Sequence, residues 1–300
     1  MKIFKFILGL VAIVLTGFAI FLVLSSEKAL LVHPKGIIAY KELALIRTNI
    51  LLMLVVILPT YIVLFVVAWK YRIKNKKAEF KPESGIRTFR QVILWIIPSI
   101  IVLVMAIITW EATHDLDPYK PIESSETPIK IQVVAIDWKW LFIYPEQNIA
   151  TLNFVQFPSG KPVHFELSAD GSPMNSFWIP QLSGQIYCMS GMITPLHVMA
   201  DGPGEYMGRA AEINGEGYAD MIFVAKSTLS SDFNKWVESV KKSPLQLTDE
   251  NYNKLLIPSV KEPIVLYSSV ANDLFNRIVM KYMHPEKTKL WKTTSTESSP

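Results

Sequence analysis

One short stretch of this chain combines several soft-donor side chains. Cys188 is followed by Met192, His197 and Met199, and these are the ligand types of a mononuclear blue-copper site once a second His is added. The spacing does not suit a single ligand loop, and Cys188 lies in an apolar run, so we expect a buried, inert thiol. The chain has 1 Cys, which excludes an intramolecular disulfide and any centre bridged by two thiolates.

The histidines are scattered, and no two have the spacing of metal ligands on one helix or hairpin. His114 follows a long apolar run and lies near Asp115 and Asp117, so an interfacial hydrogen bond is expected rather than a metal. Glu111, at the same boundary, is interpreted as a snorkelling or partner-paired carboxylate and not as a catalytic one. The other histidines are His33, His164, His197 and His284.

No further arrangement of side chains in the sequence indicates catalysis, because a Ser/His/Asp order, a glycine-rich phosphate loop and paired carboxylates do not stand out. Gly215 and Gly217 predict a bend and not a nucleotide-binding motif. Trp138 and Trp140 could belong to an electron-accepting surface or to the core. Strand alternation would put both on one face, and core packing is favoured. We therefore predict no catalytic, cofactor-binding or metal-binding residue in this chain.

Long apolar blocks occupy the first third of the chain. The chain is 50% hydrophobic with a mean hydropathy of +0.28, and residues 7–24, 48–69 and 91–110 carry no charged side chain. Each block is near the roughly 20 residues that cross a hydrocarbon core. The second and third blocks predict a transmembrane hairpin over residues 43–112. The first block follows Lys2 and Lys5, so residues 1–26 are predicted to be a signal peptide or an N-terminal anchor, cleaved or retained.

The charge pattern predicts the orientation of the hairpin. The loop over residues 70–91 contains eight Lys or Arg against Glu79 and Glu83, so the positive-inside rule places it in the cytoplasm. Residues after about 112 are then extracytoplasmic. Because the excess of basic residues lies beside the membrane and is not interleaved with aromatic residues, we do not expect nucleic-acid binding.

From residue 127 the pattern changes to short runs rich in β-branched and aromatic residues, separated by turn formers. Strands at intervals of roughly ten residues predict an all-β sandwich over residues 127–227. The predicted strands cover residues 129–136, 138–144, 149–157, 162–168, 185–188, 193–200 and 218–226.

Residues 228–285 predict a helical extension. Apolar side chains recur at helical spacing within residues 230–242, and a second helical stretch covers residues 270–283. These helices either pack on the sandwich, which is favoured, or dock a partner. Residues 286–300 are rich in Lys, Thr and Ser and are predicted to be a disordered tail.

The stretch from Gly204 to Met221 resembles the dinuclear-copper loop of subunit II of cytochrome c oxidases. That family's pattern is Cys-x-Glu-x-Cys-x-x-x-His-x-x-Met, with another His before Ser-Phe/Trp on an earlier strand. The Glu and the Met are present here as Glu212 and Met221. The copper ligands are replaced, by Ala210 and Asn214 at the two Cys positions and by Tyr218 and Asn175 at the two His positions. Soft copper needs thiolate and imidazole donors, so the resemblance implies a loop without its metal.

Two more motifs extend the resemblance from about residue 31 to about residue 283. Residues 137–147 read Asp-Trp-Lys-Trp-Leu-Phe-Ile-Tyr-Pro-Glu-Gln, and residues 174–177 read Met-Asn-Ser-Phe. With the predicted hairpin and β domain, they make the chain similar to subunit II of haem–copper terminal oxidases, and most similar to the cytochrome bo-type ubiquinol oxidase branch. The resemblance implies a membrane anchor followed by a cupredoxin-like sandwich without copper.

The resemblance also implies a function. The chain would be a non-redox subunit of a proton-pumping ubiquinol oxidase, which reduces oxygen to water at the bacterial inner membrane, and would support assembly and architecture. The haems and one copper would lie in a partner subunit I, with further small membrane subunits, membrane lipid and ubiquinol bound to the complex. Cytochrome c would not be the electron donor. The alternative is a membrane-anchored cupredoxin-like binding module or copper chaperone.

Two positions depart from the family. Many members have a Glu four residues before a Trp at the start of the second hairpin helix, near a proton channel of the partner. Here the Trp is Trp95 and the corresponding residue is Gln91, which cannot titrate, so a proton-uptake role is not expected for this chain. Related subunits commonly have an acylated Cys after the first block, where this chain has Ser25 and Ser26, so we expect no lipid attachment.

Overall fold

The computed structural model describes residues 15–18, 21–26, 29–72, 75, 88–171 and 174–283, with the backbone alone at residues 88–91. Most of residues 1–26, most of the predicted cytoplasmic loop 70–91, the side chain of Gln91, His284 and the tail 286–300 lie outside the described residues. The chain divides into two compact units, one of Lys41–Asp117 and one of Met1–Tyr40 with Pro118–Pro300.

Two long apolar helices confirm the predicted hairpin elements. Helix α1 (Ile37–Lys70) has 34 residues and helix α2 (Thr88–Asp115) has 28. Both are long and apolar enough to cross a membrane, α2 over Val92–Asp115. At about 1.5 Å per residue, α1 is roughly 50 Å long and exceeds the roughly 30 Å hydrocarbon core, so it also has length for an interfacial segment. Near the ends of this unit, Lys41 Nζ and Asp115 Oδ2 form an ion pair at 2.6 Å.

The second unit contains two β-sheets, which confirms the predicted sandwich. In the described residues the first sheet has the strand order β11-β3-β2-β1-β5-β8 and the second has the order β4-β10-β9-β6-β7. The strands are β1 (Ile129–Ile136), β2 (Lys139–Tyr144), β3 (Ile149–Leu152), β4 (Phe154–Pro158), β5 (Val163–Ala169), β6 (Met174–Trp178), β7 (Ile186–Met189), β8 (Thr194–Val198), β9 (Gly204–Ala210), β10 (Ile222–Thr228) and β11 (Val265–Tyr267).

An aromatic cluster fills the space between the two sheets. The Phe177 ring stacks on the Phe223 ring with centroids 5.0 Å apart, and Trp140 meets both rings edge-on at 5.2 and 5.7 Å. All three side chains are buried. Aromatic pairs of this geometry contribute about 0.5–1.5 kcal/mol each beyond the burial of their area. The core is therefore built from aromatic side chains of both sheets and requires no metal to close it.

The placement of Trp138 differs from the prediction. Trp138 lies in the turn before β2 with φ of 58°, so it is not a strand residue and strand alternation with Trp140 does not apply. Trp140 is fully buried, while Trp138 is partly buried against the edge of the core. Core packing is confirmed for both tryptophans, since both join the same core cluster, but Trp138 does so from the turn before β2 and not through strand alternation.

A left-handed residue also divides the strand that was predicted over residues 149–157. Asn153 has φ of 54° and separates β3 from β4, which belong to different sheets. Its side chain stabilises this corner, because Oδ1 accepts from the Trp140 backbone N–H at 2.9 Å and Nδ2 donates to the Glu262 carbonyl at 2.9 Å. Asparagine tolerates this conformation better than most residues.

The C-terminal region packs on the sandwich, as the favoured alternative predicted. It contains α3 (Ser230–Val240), α4 (Asp249–Leu255) and α5 (Leu274–Met283). Helix α3 joins the main core through Phe233, Val237 and Val240. Helices α4 and α5 instead join a second apolar cluster on the other face of the first sheet, made of Val134, Ile136, Leu141, Ile143, Tyr252, Leu274, Phe275 and Ile278 among others. The first sheet is thus covered on both faces.

A buried carboxylate joins these helices to the sandwich. Asp170 follows β5, is 1% exposed, and accepts hydrogen bonds at 2.6 to 2.7 Å from Tyr252 on α4 and from Lys281 and Tyr282 on α5. Burial and the neighbouring carboxylate raise the pKa of the Tyr252 phenol. Burial opposes the charge of Lys281, but the hydrogen bond and the ion pair with Asp170 prevail and raise its pKa. The carboxylate is satisfied by donors from two separate helices.

A buried lysine makes a second connection between the sandwich and the C-terminal region. Lys139 on β2 donates from Nζ to the Ile257 carbonyl at 2.7 Å and to Ser259 Oγ at 2.6 Å. Burial lowers the pKa of this lysine, and Glu262 and Asp137 partly offset the effect. Lys139 therefore holds the segment that follows α4, whereas Asp170 holds α4 and α5 themselves.

We predict that Asp170→Asn destabilises the outer unit by about 1–3 kcal/mol, because the amide leaves at least one buried hydroxyl or ammonium without its acceptor. Denaturant unfolding of the purified chain in detergent measures the loss, and limited proteolysis should cut α4 and α5 sooner. Asp232→Asn is the matched control, since Asp232 is exposed and its pair with Lys235 should change stability by less than about 0.5 kcal/mol. Equal effects of the two substitutions would contradict the proposed role of Asp170.

Candidate functional site

The loop that resembles a copper site is closed by main-chain hydrogen bonds. It leaves β9 at Ala210, passes through a 3-10 turn over Tyr218–Asp220, and returns at Met221 to β10. The Ala210 N–H donates to the Met221 carbonyl at 3.0 Å, and the Ala211 N–H donates to the Ser176 carbonyl at 2.9 Å. Trp140 Nε1 contacts the same Met221 carbonyl at 3.4 Å. Both ends of the loop are therefore fixed to the sandwich.

Three of the positions named by the resemblance meet inside this loop. Asn214 Nδ2 donates to Asn175 Oδ1 in a short hydrogen bond and lies 3.1 Å from Met221 Sδ. Asn175 and Met221 are fully buried. The structure thus brings the second Cys position, the earlier His position and the Met position into contact. Amide groups occupy the place where the copper-bearing family has a thiolate and an imidazole.

The donor set of this site does not suit dinuclear copper. Two amides and a thioether offer neither the bridging thiolates nor the imidazoles that soft copper requires, and Ala210 offers no donor. The amide pair is also incompletely satisfied, because Asn175 Nδ2 and Asn214 Oδ1 are buried without a hydrogen-bond partner. Each unpaired buried polar atom carries a desolvation cost, so the amide pair lowers the free energy of unfolding relative to a fully hydrogen-bonded pair.

The remaining residues of the loop take part in packing. Glu212 accepts from the Tyr187 hydroxyl at 3.4 Å. Tyr218 is partly buried against the main core. Gly217 lies under the indole of Trp138, where a Cβ atom would come within 2.3 Å of the ring. The bend that was predicted from Gly215 and Gly217 is therefore explained by the close approach of Trp138.

Cys188 is a buried thiol in β7. Strand β7 pairs with β6, so that Cys188 lies opposite Asn175. Burial raises the pKa of the thiol well above its usual range, which disfavours the thiolate that would bind a metal or react. Among the described residues, no three His, Cys, Asp or Glu side chains are arranged so that they could hold a metal ion.

Sequence spacing missed one pair of histidines. His164 on β5 and His197 on β8 are in register across two antiparallel strands, with Nδ1 of His164 and Nε2 of His197 at 3.3 Å. Burial lowers the pKa of both rings. The two residues are 33 positions apart, so only knowledge of which strands pair could have brought them together.

Two residues at the boundary of the membrane unit were also singled out. His114 lies on α2, and its Nδ1 donates to the Trp110 carbonyl at 2.8 Å, rather than to Asp115 or Asp117. The ring also lies against the Trp110 indole, with centroids 4.7 Å apart. Glu111 is an exposed residue of the same helix. The predicted hydrogen bond of His114 is thus present, but with a backbone partner.

Comparison with known proteins gives consistent relatives over most of the chain. A family described as COX Aromatic Rich Motif matches residues 241–286. The chain is 44% identical over 254 residues to the cytochrome bo(3) ubiquinol oxidase subunit 2 of Pseudomonas aeruginosa, covering 85% of this chain and 76% of the relative. It is 42% identical over 270 residues to the ubiquinol oxidase subunit 2 of Acetobacter aceti, covering 89% of this chain and 87% of the relative.

One solved structure is similar to part of the outer unit, at low identity. The periplasmic domain of subunit II of the cytochrome oxidase of Bradyrhizobium japonicum matches with a TM-score of 0.38 and 18% identity. The match covers 41% of this chain and 98% of that domain.

We predict that Asn214→Ala lowers the free energy of unfolding of the outer unit by about 1–3 kcal/mol, because it leaves the buried Asn175 amide without its partner. The double variant Asn175→Ala with Asn214→Ala should cost less than the sum of the two single variants, since it removes both amides. Denaturant unfolding of all three variants measures this coupling. Asn276→Ala, at an exposed position of α5, is the control and should be close to neutral. Additive single effects would show that the two amides are energetically independent.

Proposed function

The chain belongs to the subunit 2 family of ubiquinol oxidases, and from this premise we propose that it is the copper-free subunit 2 of a quinol-driven terminal oxidase. The observation that carries the proposal is the loop Gly204–Met221, in which Ala210, Asn214 and Tyr218 stand where the copper-bearing family has its ligands. The loop is closed by main-chain hydrogen bonds, and an amide pair meets in its interior. An electron from a soluble donor would find no acceptor at this position.

The absence of copper ligands from this loop indicates which electron donor the complex uses. A copper site in this loop would accept electrons at the outer surface of the membrane. Without thiolate and imidazole donors, electrons must reach the complex by another route. Ubiquinol is a reductant that dissolves in the membrane and is named in the relatives that share 42% to 45% identity with this chain. We therefore assign ubiquinol, and not cytochrome c, as the reductant of the complex.

We assign the redox chemistry of the complex to the partner subunits of this chain. The haems and a single copper would lie in subunit I, where oxygen is reduced to water and protons are translocated. In this chain we assign no catalytic, cofactor-binding or metal ligand to that reaction. Gln91 cannot exchange a proton, so no proton-uptake role is assigned to the start of α2. Further small subunits and membrane lipid would complete the assembly.

The role of the chain is then architectural. The helices α1 and α2 are long and apolar enough to anchor it in the bacterial inner membrane. The loop 70–91 would be cytoplasmic, because it is rich in Lys and Arg, and the outer unit would be periplasmic. The aromatic core and the Asp170 connection make that unit stable without a cofactor, which suits a part that supports a larger enzyme.

We predict that the chain, purified through a tag in mild detergent, brings with it a complex with haem absorption bands and ubiquinol-driven oxygen uptake. The same preparation should not consume oxygen with reduced cytochrome c. Metal analysis should find a single copper for each copy of this chain. Recovery of the chain as a monomer without haem would favour the binding-module alternative, and three coppers per chain would show that the loop holds a dinuclear centre.

A variant with restored ligands is the matched control for the metal analysis. It carries Ala210→Cys, Asn214→Cys, Tyr218→His and Asn175→His, which return two thiolates and two imidazoles to the loop beside Met221. Because the loop ends are fixed to the sandwich, the variant is expected to take up two further coppers per chain. Unchanged copper content in a folded variant would show that the loop no longer has the shape of the copper site.

A further inference from the structure

The paired histidines on the outer unit form a small polar cluster that the proposed function does not use. His164 lies on β5 and His197 lies on β8, the edge strand of the first sheet in the described residues. Both side chains are partly exposed, with 27% of the His164 side chain accessible. An ion from the solvent can therefore reach the space between the rings. The cluster lies away from the amide pair of the emptied loop, which is held by β6 and β9.

The spacing of the two rings matches that of two ligands on one metal ion. Nδ1 of His164 and Nε2 of His197 are 3.3 Å apart, and the ring planes are inclined by 38°. Imidazole nitrogens bind zinc at about 2.0–2.1 Å, and two such ligands at a tetrahedral angle are about 3.3–3.4 Å apart. The nitrogens thus need little movement to place an ion between them.

A carboxylate is positioned behind the His164 ring. Glu166 lies two residues further along β5, and its Oε1 is 3.9 Å from Nε2 of His164, the nitrogen that faces away from His197. Metal-binding histidines commonly direct their second N–H to a carboxylate, which sets the tautomer and orients the ring. Glu166 is itself held by Lys130 Nζ at 2.6 Å and by Gln132 Nε2 at 3.2 Å.

We propose that His164 and His197 form a binding site for a borderline-soft divalent cation, Zn²⁺ or Cu²⁺, with Glu166 as the positioning carboxylate. Nδ1 of His164 and Nε2 of His197 are the two ligands. Each neutral ring keeps its single N–H on the other nitrogen, so binding requires a change of tautomer and no net loss of a proton. The remaining coordination positions are open to water or to a side chain of another subunit.

This site lies in a different part of the outer unit from the loop that resembles a copper site. It uses two strands of the first sheet and imidazole donors, whereas the emptied loop lies between strands of the second sheet and now offers amides. Two protein ligands leave the site exchangeable and suited to binding from solution rather than to a resident redox centre.

The test is a titration of the intact, chelator-treated complex with ZnCl₂, followed by calorimetry. The unchanged complex should bind one Zn²⁺ that His164→Gln and His197→Gln each abolish or weaken by at least about tenfold. Glu166→Gln should weaken binding by about 10–100-fold, as expected for a positioning residue next to a ligand. His114→Gln, which removes a histidine on α2, is the control and should leave this binding unchanged.

A measurement on the unchanged complex tests the proposal even if a substituted variant fails to fold. Zinc-edge anomalous diffraction from crystals of the unchanged complex, soaked with ZnCl₂, should give a peak between the two rings. The absence of that peak at saturating Zn²⁺, or equal Zn²⁺ affinity of folded His164→Gln and the unchanged complex, would overturn the proposal.

Discussion

The arrangement of the outer unit depends on the hydrogen bonding of one buried carboxylate. A carboxylate that is 1% exposed is costly unless donors surround it, and the donors of Asp170 come from Tyr252, Lys281 and Tyr282. These residues belong to α4 and α5, so the β domain satisfies its own polar group only when the C-terminal helices are in place. In turn, these helices cover Val134 and Leu141, which would otherwise be apolar side chains on a solvent-facing sheet surface. The hydrogen bonding of Asp170 and the burial of apolar side chains therefore favour the same packing of α4 and α5 on the sheet.

This coupling explains the composition of the first sheet. A sheet with one solvated face shows alternating apolar and polar residues, whereas a sheet covered on both faces reads as a continuous apolar run. All six residues of β2 are buried, and the last four of β1 are buried as well. The exception is the start of β1 and of β5, where Lys130, Gln132, His164 and Glu166 are partly accessible. One face of the first sheet thus has an apolar part covered by the C-terminal helices and a polar part that reaches solvent.

Local sequence predicts some strands of the outer unit but not the contacts between residues far apart in the chain. Strands such as β1 and β10 could be predicted because their β-branched and aromatic side chains are local signals. Strand β9 was missed, since it contains Gly204 and Gly208, and glycine usually indicates a turn. Gly208 is required there because a Cβ atom would lie within 2.4 Å of three atoms of the Phe223 ring.

The contact between His164 and His197 and the hydrogen bonds of Asp170 were missed for a different reason. Their partners are 33 and 82 to 112 residues away in the sequence. The short helix α4 had a signal, the Thr248 cap before Asp249 and Glu250, which was not used.

The emptied loop shows why a metal site can be lost while its scaffold remains. The ends of the loop are held by main-chain hydrogen bonds from Ala210 and Ala211, and the core beneath it is held by stacked aromatic rings. Neither interaction uses a side chain at one of the ligand positions of the copper pattern. Replacing thiolate and imidazole by Asn214 and Asn175 therefore removes the metal but keeps a polar contact across the same space. Two polar atoms of the amide pair are buried and unpaired, so the pair carries a desolvation cost that other contacts of the unit must offset. The path of this loop is therefore set by the sandwich that holds its two ends, and not by a metal ligand.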